Sequence, residues 1–277
     1  MYYGVRFDMD YKGLWNEGMK DWDGQIPPRM IDDSLEESFW ESFLAGKSKP
    51  DDWITGIREQ LLSLITEEDH VLEIGPGWGN YTFDVAAIAR TLTCVDSSKS
   101  VLRYLSTQAL ERGYGNLSFE HAKWEERASD SVYDVVFGVN CYYRMQDIDK
   151  ALIHMNQSAK RLAVIGMTSG PEKPHYWDIH QELGCSVKFH RRDYIYLTNL
   201  LYQLGIDVNC KILNLQKTYA YKNEEELIQD NLNAIMDKNY DRNKAIDILN
   251  RYVNRENGKI EYTHAFKAAI LYWKPIK

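Results

Sequence analysis

The chain has 277 residues, of which 44% are hydrophobic and 27% charged, an ordinary globular composition that can bury a sizeable core and disfavours disorder. At roughly 150 residues per domain it is long for one domain and short for two. A formal charge of -8, with no stripe of basic residues to follow a phosphate backbone and no apolar run near the ~20 residues of a membrane span, speaks against nucleic-acid and membrane partners.

Residues 1 to 50 read as an irregular, aromatic and acidic arm followed by one helix. The arm begins without the basic and apolar segments of a signal peptide, so a cytoplasmic protein is the expectation. Aromatic residues make up 13% of the chain, and of its 8 Trp, Trp15, Trp22, Trp40 and Trp53 crowd the start. Ser34-Leu35-Glu36-Glu37 has the spacing of a capping box, after which Leu35, Phe39, Phe43 and Leu44 recur at helical intervals until Gly46 and Pro50. A second helix begins near Asp51 or Asp52, whose carboxylates suit an N-terminus, and places Ile54, Ile57, Leu61, Leu62 and Ile65 on a buried face.

From His70 onward short apolar runs alternate with helices, the pattern of a doubly wound α/β sheet. The expected strands are Val71 to Ile74, Leu92 to Val95, Leu117 to Glu120, Asp134 to Val139 and Leu162 to Met167, with helices over 80 to 90, 98 to 112 and 146 to 159. Right-handed crossovers place the carboxyl ends of these strands along one edge, carrying Gly75, Asp96, Lys123, Asn140 and Thr168. Further on, Tyr194, Leu197, Leu200, Leu201 and Leu204 fit a helix ending at Gly205. Val208 to Leu215 and Thr263 to Tyr272 are strand candidates, separated by a charged helical segment at about 223 to 253 with Asn223 at its start. Cys94, Cys141, Cys185 and Cys210 are widely spaced, so neither a metal clip nor a disulfide framework is suggested.

Chemistry concentrates after the first strand, in Glu73-Ile74-Gly75-Pro76-Gly77-Trp78-Gly79. Glycines at 75, 77 and 79 allow a sharp turn against which a ligand can lie, with the N–H groups of the next helix pointing at it. The spacing is Gly-x-Gly-x-Gly, not the Gly-x-Gly-x-x-Gly of dinucleotide folds, and Glu73 would repel a pyrophosphate while attracting an amino group. Asp96 ends the second strand about 20 residues beyond, where a carboxylate can accept hydrogen bonds from ribose hydroxyls or cap the following helix.

With this Glu-x-Gly-x-Gly-x-Gly motif and the acid after it, the sequence resembles the class I S-adenosylmethionine-dependent methyltransferases over residues 51 to 168, and more weakly to the C-terminus by strand order. The resemblance implies a Rossmann-like, mostly parallel seven-stranded sheet carrying an N-terminal helical and aromatic extension and a helical insertion before the last strand. It implies S-adenosylmethionine as cofactor and S-adenosylhomocysteine as product. Gly75, Gly77 and Gly79 would approach the methionine part, Glu73 its ammonium group and Asp96 the ribose, with Pro76 and Ser97 as further cofactor contacts. Family members commonly carry an acid where Lys123 stands; here the backbone from Ala122 to Trp124 would meet the adenine edge, with Glu125 as a substitute acid and Trp124 either beside the ring or in the core. Asn140 would border cofactor and acceptor, and Tyr142 or Tyr143 would pack beside the sulfonium or simply form wall. Pro171 to His180 reads as a loop that lines the acceptor site or packs on the surface, with His175 or His180 as a candidate general base; no metal-binding spacing occurs.

The leading expectation is a methyltransferase acting on a small-molecule acceptor, with residues 1 to 50 as an extension or lid and 51 to 277 as the methyltransferase domain. In the lid, Tyr11, Trp15 and Trp22 would exclude water from the site. A protein-modifying methyltransferase or an inactive cofactor-binding partner is the alternative, and a nicotinamide-dependent oxidoreductase a third.

Overall fold

The computed structural model describes residues 9–21, 24–46, 51–127, 132–168, 173–187, 193–256 and 258–277. They divide into two compact units, one formed by residues 1–167, 193–213 and 269–277 and the other by 168–192 and 214–268. The sequence led us to expect an extension and one domain carrying an insertion. The second unit arises because the segment after the fifth strand and the insertion share hydrophobic clusters of their own.

In the first unit the strands are β1 (His70–Ile74), β2 (Thr91–Asp96), β3 (Leu117–His121), β4 (Tyr133–Val139) and β5 (Ala159–Thr168), joined by parallel pairings. Their interiors are runs such as Val71-Leu72, Leu92 and Val135-Val136-Phe137, buried on both faces as parallel sheets require. The sheet order is β3-β2-β1-β4-β5-β8-β6, with β6 (Asn209–Tyr221) and β8 (Ile260–Trp273) completing it. The final strand is antiparallel. All seven expected strands form, each lengthened by one to several residues.

The expected helices mostly form as well: α3 (Asp33–Ala45), α4 (Thr55–Leu62), α5 (Thr82–Ala86), α6 (Lys99–Glu111), α7 (Ile148–Ser158) and α9 (Asp193–Gln203). The one over 80 to 90 is reduced to α5. The capping-box reading of Ser34 fails by two residues, because Asp32 is the N-cap and accepts hydrogen bonds from Ser34 N and Leu35 N. Glu37 is thereby released to accept from Lys99 N and Ser100 N at the start of α6, where a carboxylate meets unbonded N–H groups and the positive end of the helix dipole.

The arm is less irregular than its composition suggests. Asp10 caps α1 (Tyr11–Glu17), and Pro28 opens the short α2 (Pro28–Ile31). Trp15 on α1 is a core residue: its ring is 1% exposed, belongs to the cluster that includes Ile148, Leu152, Leu197 and Leu201, and its indole N–H donates to Met145 O at 2.8 Å. This corrects its placement in a lid. Tyr11 packs on the same cluster, and Trp22 lies outside the described residues.

In the second unit, α8 (His175–Leu183) replaces the expected loop. The charged segment holds α10 (Glu224–Leu232) and α11 (Arg242–Asn250), with Asn223 capping α10 through Glu226 N. A short strand β7 (Val253–Asn254) pairs antiparallel with β8.

Replacing Trp15 by Ala should cost about 3–5 kcal/mol, the range for deleting a large buried aromatic ring. Urea unfolding followed by fluorescence and circular dichroism checks this; a loss under 1 kcal/mol would restore Trp15 to a dispensable arm.

Candidate active site

Parallel pairing aligns Ile74 with Val95 and with Gly138, Asp96 with His121, and Val139 with Gly166. The residues that follow each strand therefore converge at one edge. There they form a cavity of about 760 Å³, within the ~300–1,000 Å³ typical of small-ligand sites. From the sheet edge come Glu73, Gly75, Pro76, Gly77, Asp96, Ser97, Lys123, Trp124, Asn140 and Tyr143, all anticipated from sequence. Opposite them stand Arg29, Asp33, Glu36, Phe39 and Trp40 from α2 and α3, together with Trp53.

The glycines of the loop have separate reasons. Gly75 has φ +59°, and a Cβ there would come within 2.4 Å of Cys141 Cβ; Gly77 has φ +56°, and a Cβ there would stand 3.2 Å from the Trp40 ring. Left-handed backbone together with near contact leaves room only for glycine. Gly79, also left-handed at φ +83°, does not line the cavity: a Cβ there would stand 2.8 Å from Leu105 and 3.2 Å from Phe83. It serves the packing of loop against helix. Asn140 adopts φ +55°, the one non-glycine residue among those described with positive φ, and its N–H donates to Gly166 O. Asn tolerates that region better than most residues, and such backbone clusters at ligand sites.

Two acids lie at the floor. Glu73 is buried and accepts from Thr82 Oγ1 at 2.7 Å, and burial raises its pKa to about 8 against the opposing effect of that bond. Asp96 accepts from Ser98 N at 2.8 Å and from the Gly77 backbone; burial, with the charges of Glu36 and Glu37 adding to it, raises its pKa to about 7. Burial also raises the Glu125 carboxyl. Ser98, not Asp96, caps α6 with its side chain, through Val101 N.

The α3 side supplies the counter-charges. Asp33 pairs with Lys123 at 2.7 Å and Arg144 at 2.9 Å. Glu36 accepts from Tyr143 Oη at 2.8 Å and Trp40 Nε1 at 2.9 Å, and pairs with Arg29 at 2.6 Å. Lys123 thus ties a helix of the arm to the sheet edge. The arm's site residues were missed in the sequence because Glu36 and Glu37 read as helix-start signals. Their useful trace was the excess of aromatic and acidic residues in the arm.

Three candidates are placed elsewhere. Tyr142 is fully buried beneath the edge, with its hydroxyl 3.4 Å from Gly138 O and 3.8 Å from Met155 Sδ, so it does not line the cavity. His175, on α8, is buried with both nitrogens engaged: Tyr262 Oη donates to Nδ1 and Nε2 donates to Asn231 O, each at 2.8 Å. Burial lowers its pKa to about 4. His180 Nδ1 donates to Cys185 O. Neither histidine is a cavity residue. Trp124 is held as a core anchor, its indole donating to Ala151 O at 3.0 Å and stacked on His154, although the residue also contributes to the wall. Among the described residues no His, Cys, Asp and Glu cluster could hold a metal ion.

The glycine turn, the two acids and the parallel edge define an α/β domain with a ligand-sized cavity at the carboxyl ends of its strands, and comparison with known proteins narrows it. Residues 71–161 match the family model of a methyltransferase domain. Ribosomal RNA small subunit methyltransferase A of Malacoplasma penetrans (strain HF-2) is 30% identical over 100 residues, 36% of this chain and 37% of that protein. The chain therefore spans little more than a third of that curated relative's length. The fold is shared with the YcgJ protein of Bacillus subtilis (TM-score 0.54, 17% identity, covering 80% of this chain and 100% of that one). It is shared also with the N-methyltransferase NodS of Bradyrhizobium japonicum WM9 in complex with S-adenosyl-L-homocysteine (TM-score 0.51, 11% identity, 87% and 98%). Residues 71–161 are thus a methyltransferase domain, in agreement with the resemblance to the class I S-adenosylmethionine-dependent methyltransferases that the glycine motif carries, and S-adenosylmethionine is the cofactor of that class.

Because Glu73 holds its proton more tightly folded than unfolded, it contributes stability that is complete below the ordinary carboxylate range and lost as pH rises through about 8. The melting temperature of the cofactor-free protein should therefore fall between pH 6 and 9, and Glu73→Gln should reduce that fall. Equal slopes for the two proteins in scanning calorimetry would contradict this.

Proposed function

We propose that the protein transfers a methyl group from S-adenosylmethionine to a small-molecule acceptor. The observation that carries this reading is one cavity walled on one side by the glycine turn and Asp96, and on the other by the aromatic and charged side chains of α2 and α3. Its volume accommodates a nucleoside cofactor beside a modest acceptor. The two glycines without Cβ at 75 and 77, and the buried carboxylate of Asp96 at the end of β2, fit a ribose and amino-acid moiety held against the main chain.

In this reading Asp96 accepts hydrogen bonds from the ribose, Ser97 and the backbone from Ala122 to Trp124 border the base, Gly75, Pro76 and Gly77 support the methionine part, and Glu73 and Asn140 stand near its charged end. When bound, the cofactor supplies a methyl group already activated on a sulfonium. The protein's share is then alignment and exclusion of water. Phe39, Trp40 and Tyr143 supply the apolar surface for that exclusion, so the lid role anticipated for residues 1 to 50 falls to α2 and α3, while α1 serves the core. Tyr143 is the surviving candidate for contact with the reacting groups. Its hydroxyl is held by Glu36, and burial raises its pKa, so it acts as a hydrogen-bond donor and not as a base. The kinship with a ribosomal RNA methyltransferase raises an RNA acceptor as a second reading. The net charge of -8 and the absence of a basic stripe weigh against it.

Titration calorimetry with S-adenosylhomocysteine tests the cofactor site. Binding should be clear for the unmodified protein, weaken about tenfold or more in Asp96→Ala, and weaken in the unmodified protein as pH falls from 8 to 6, where Asp96 takes up its proton. No heat of binding by the unmodified protein would overturn the proposal.

A further inference from the structure

On the α3 side of the cavity, Glu36 is 3% exposed. Its Oε1 is saturated by Tyr143 and Trp40. Its Oε2 faces the Arg29 guanidinium at 2.6 Å, yet off the line of a hydrogen bond, so this buried oxygen has a charge partner but no aligned donor. The same guanidinium lies 3.7 Å from the centroid of the Phe39 ring and 5.9 Å from that of Tyr143. A buried carboxylate beside two aromatic faces is the arrangement that recognises an organic cation, by charge and by the ring quadrupoles together. Arg29 reaches this place from the four-residue α2 and remains 35% exposed.

We propose that Glu36, Phe39 and Tyr143 form the acceptor's recognition site, that the acceptor carries an ammonium or guanidinium group, and that Arg29 is a resident cation which such an acceptor displaces. The inference rests on the small-molecule methyltransferase reading and names its substrate class. The charge balance of the cavity agrees: Lys123 and Arg144 share Asp33, and Lys150 pairs with Asp147, so each lysine and arginine on the wall already has a carboxylate. The buried Nε–H of Arg144 makes no hydrogen bond and would favour a carboxylate ligand instead, which the experiment must weigh.

Three probes of one scaffold separate the possibilities: 2-phenylethylamine, phenylacetate and 2-phenylethanol, titrated into the protein saturated with S-adenosylhomocysteine. The amine alone should bind measurably. Glu36→Gln, which keeps an acceptor for Tyr143 and Trp40, should weaken it about tenfold or more while S-adenosylhomocysteine affinity stays within about twofold. Arg29→Met, a change at a partly exposed side chain, should strengthen it several-fold by removing the competitor. Binding of the carboxylate or alcohol as tightly as the amine, binding of none of the three, an unaffected Glu36→Gln protein, or weaker amine binding in Arg29→Met would each overturn the proposal. Failure to bind S-adenosylhomocysteine at all would instead indict the methyltransferase reading, so the two failures are distinguishable.

Discussion

The site depends on a contact that only glycine permits. β1 lies between β2 and β4, and the chain leaving β4 turns back so that Cys141 sits where a side chain at Gly75 would be. Because Gly75 has no Cβ and can take φ +59°, the turns after β1 and β4 close on one another, and the remaining edge residues fall into register around them. Any larger residue at 75 would push these turns apart and open the floor of the cavity. The left-handed Asn140 is the matching adjustment on the β4 side, one residue before the contact.

That geometry sets the electrostatics. Converging strand ends bury Glu73 and Asp96 where water cannot solvate two charges, so both acids hold their protons more tightly than in solution. The arm adds Glu36 and Asp33 to the same space and brings Arg29 with them, while Lys123 and Arg144 answer from the sheet edge. Lys123 stands where the resemblance led us to expect an acid, and the structure gives the lysine a physical sense: with Asp33 arriving from α3, a second acid there would be repelled, whereas a lysine binds the helix in place. The Lys123 ammonium is itself held above its ordinary pKa by that bond.

How much of this was legible depended on the range of the interaction involved. The strands, the glycine turn and Asp96 follow from local patterns, apolar runs bounded by turns and an acid at a fixed remove, and these needed no knowledge of tertiary contacts. What failed was long-range. Glu37 has the spacing of a capping residue for its own helix but caps a helix more than sixty residues away, because Asp32 had already supplied the local cap. His175 looks like a loop base until the insertion folds Asn231 and Tyr262 around it, where both ring nitrogens are consumed by structure. Gly79 belongs to a ligand motif by spacing and to packing by geometry, a distinction that only Leu105 and Phe83 reveal.

The four early tryptophans show why composition alone could not assign the arm a single task. Trp15 anchors α1 to the carbonyl of Met145, the residue that closes the turn carrying Tyr142, Tyr143 and Arg144. In that turn Tyr142 points into the core and Tyr143 into the cavity, so the short stretch after β4 is fixed from beneath by packing and from behind by the Trp15 hydrogen bond. Trp40, farther along the same arm, shares Glu36 with Tyr143 and covers Gly77. One arm therefore supports the β4 turn through α1 and faces it across the cavity through α3. A change at the buried Trp15 would be felt at Tyr143 through the backbone of Met145, without contact between Trp15 and any ligand.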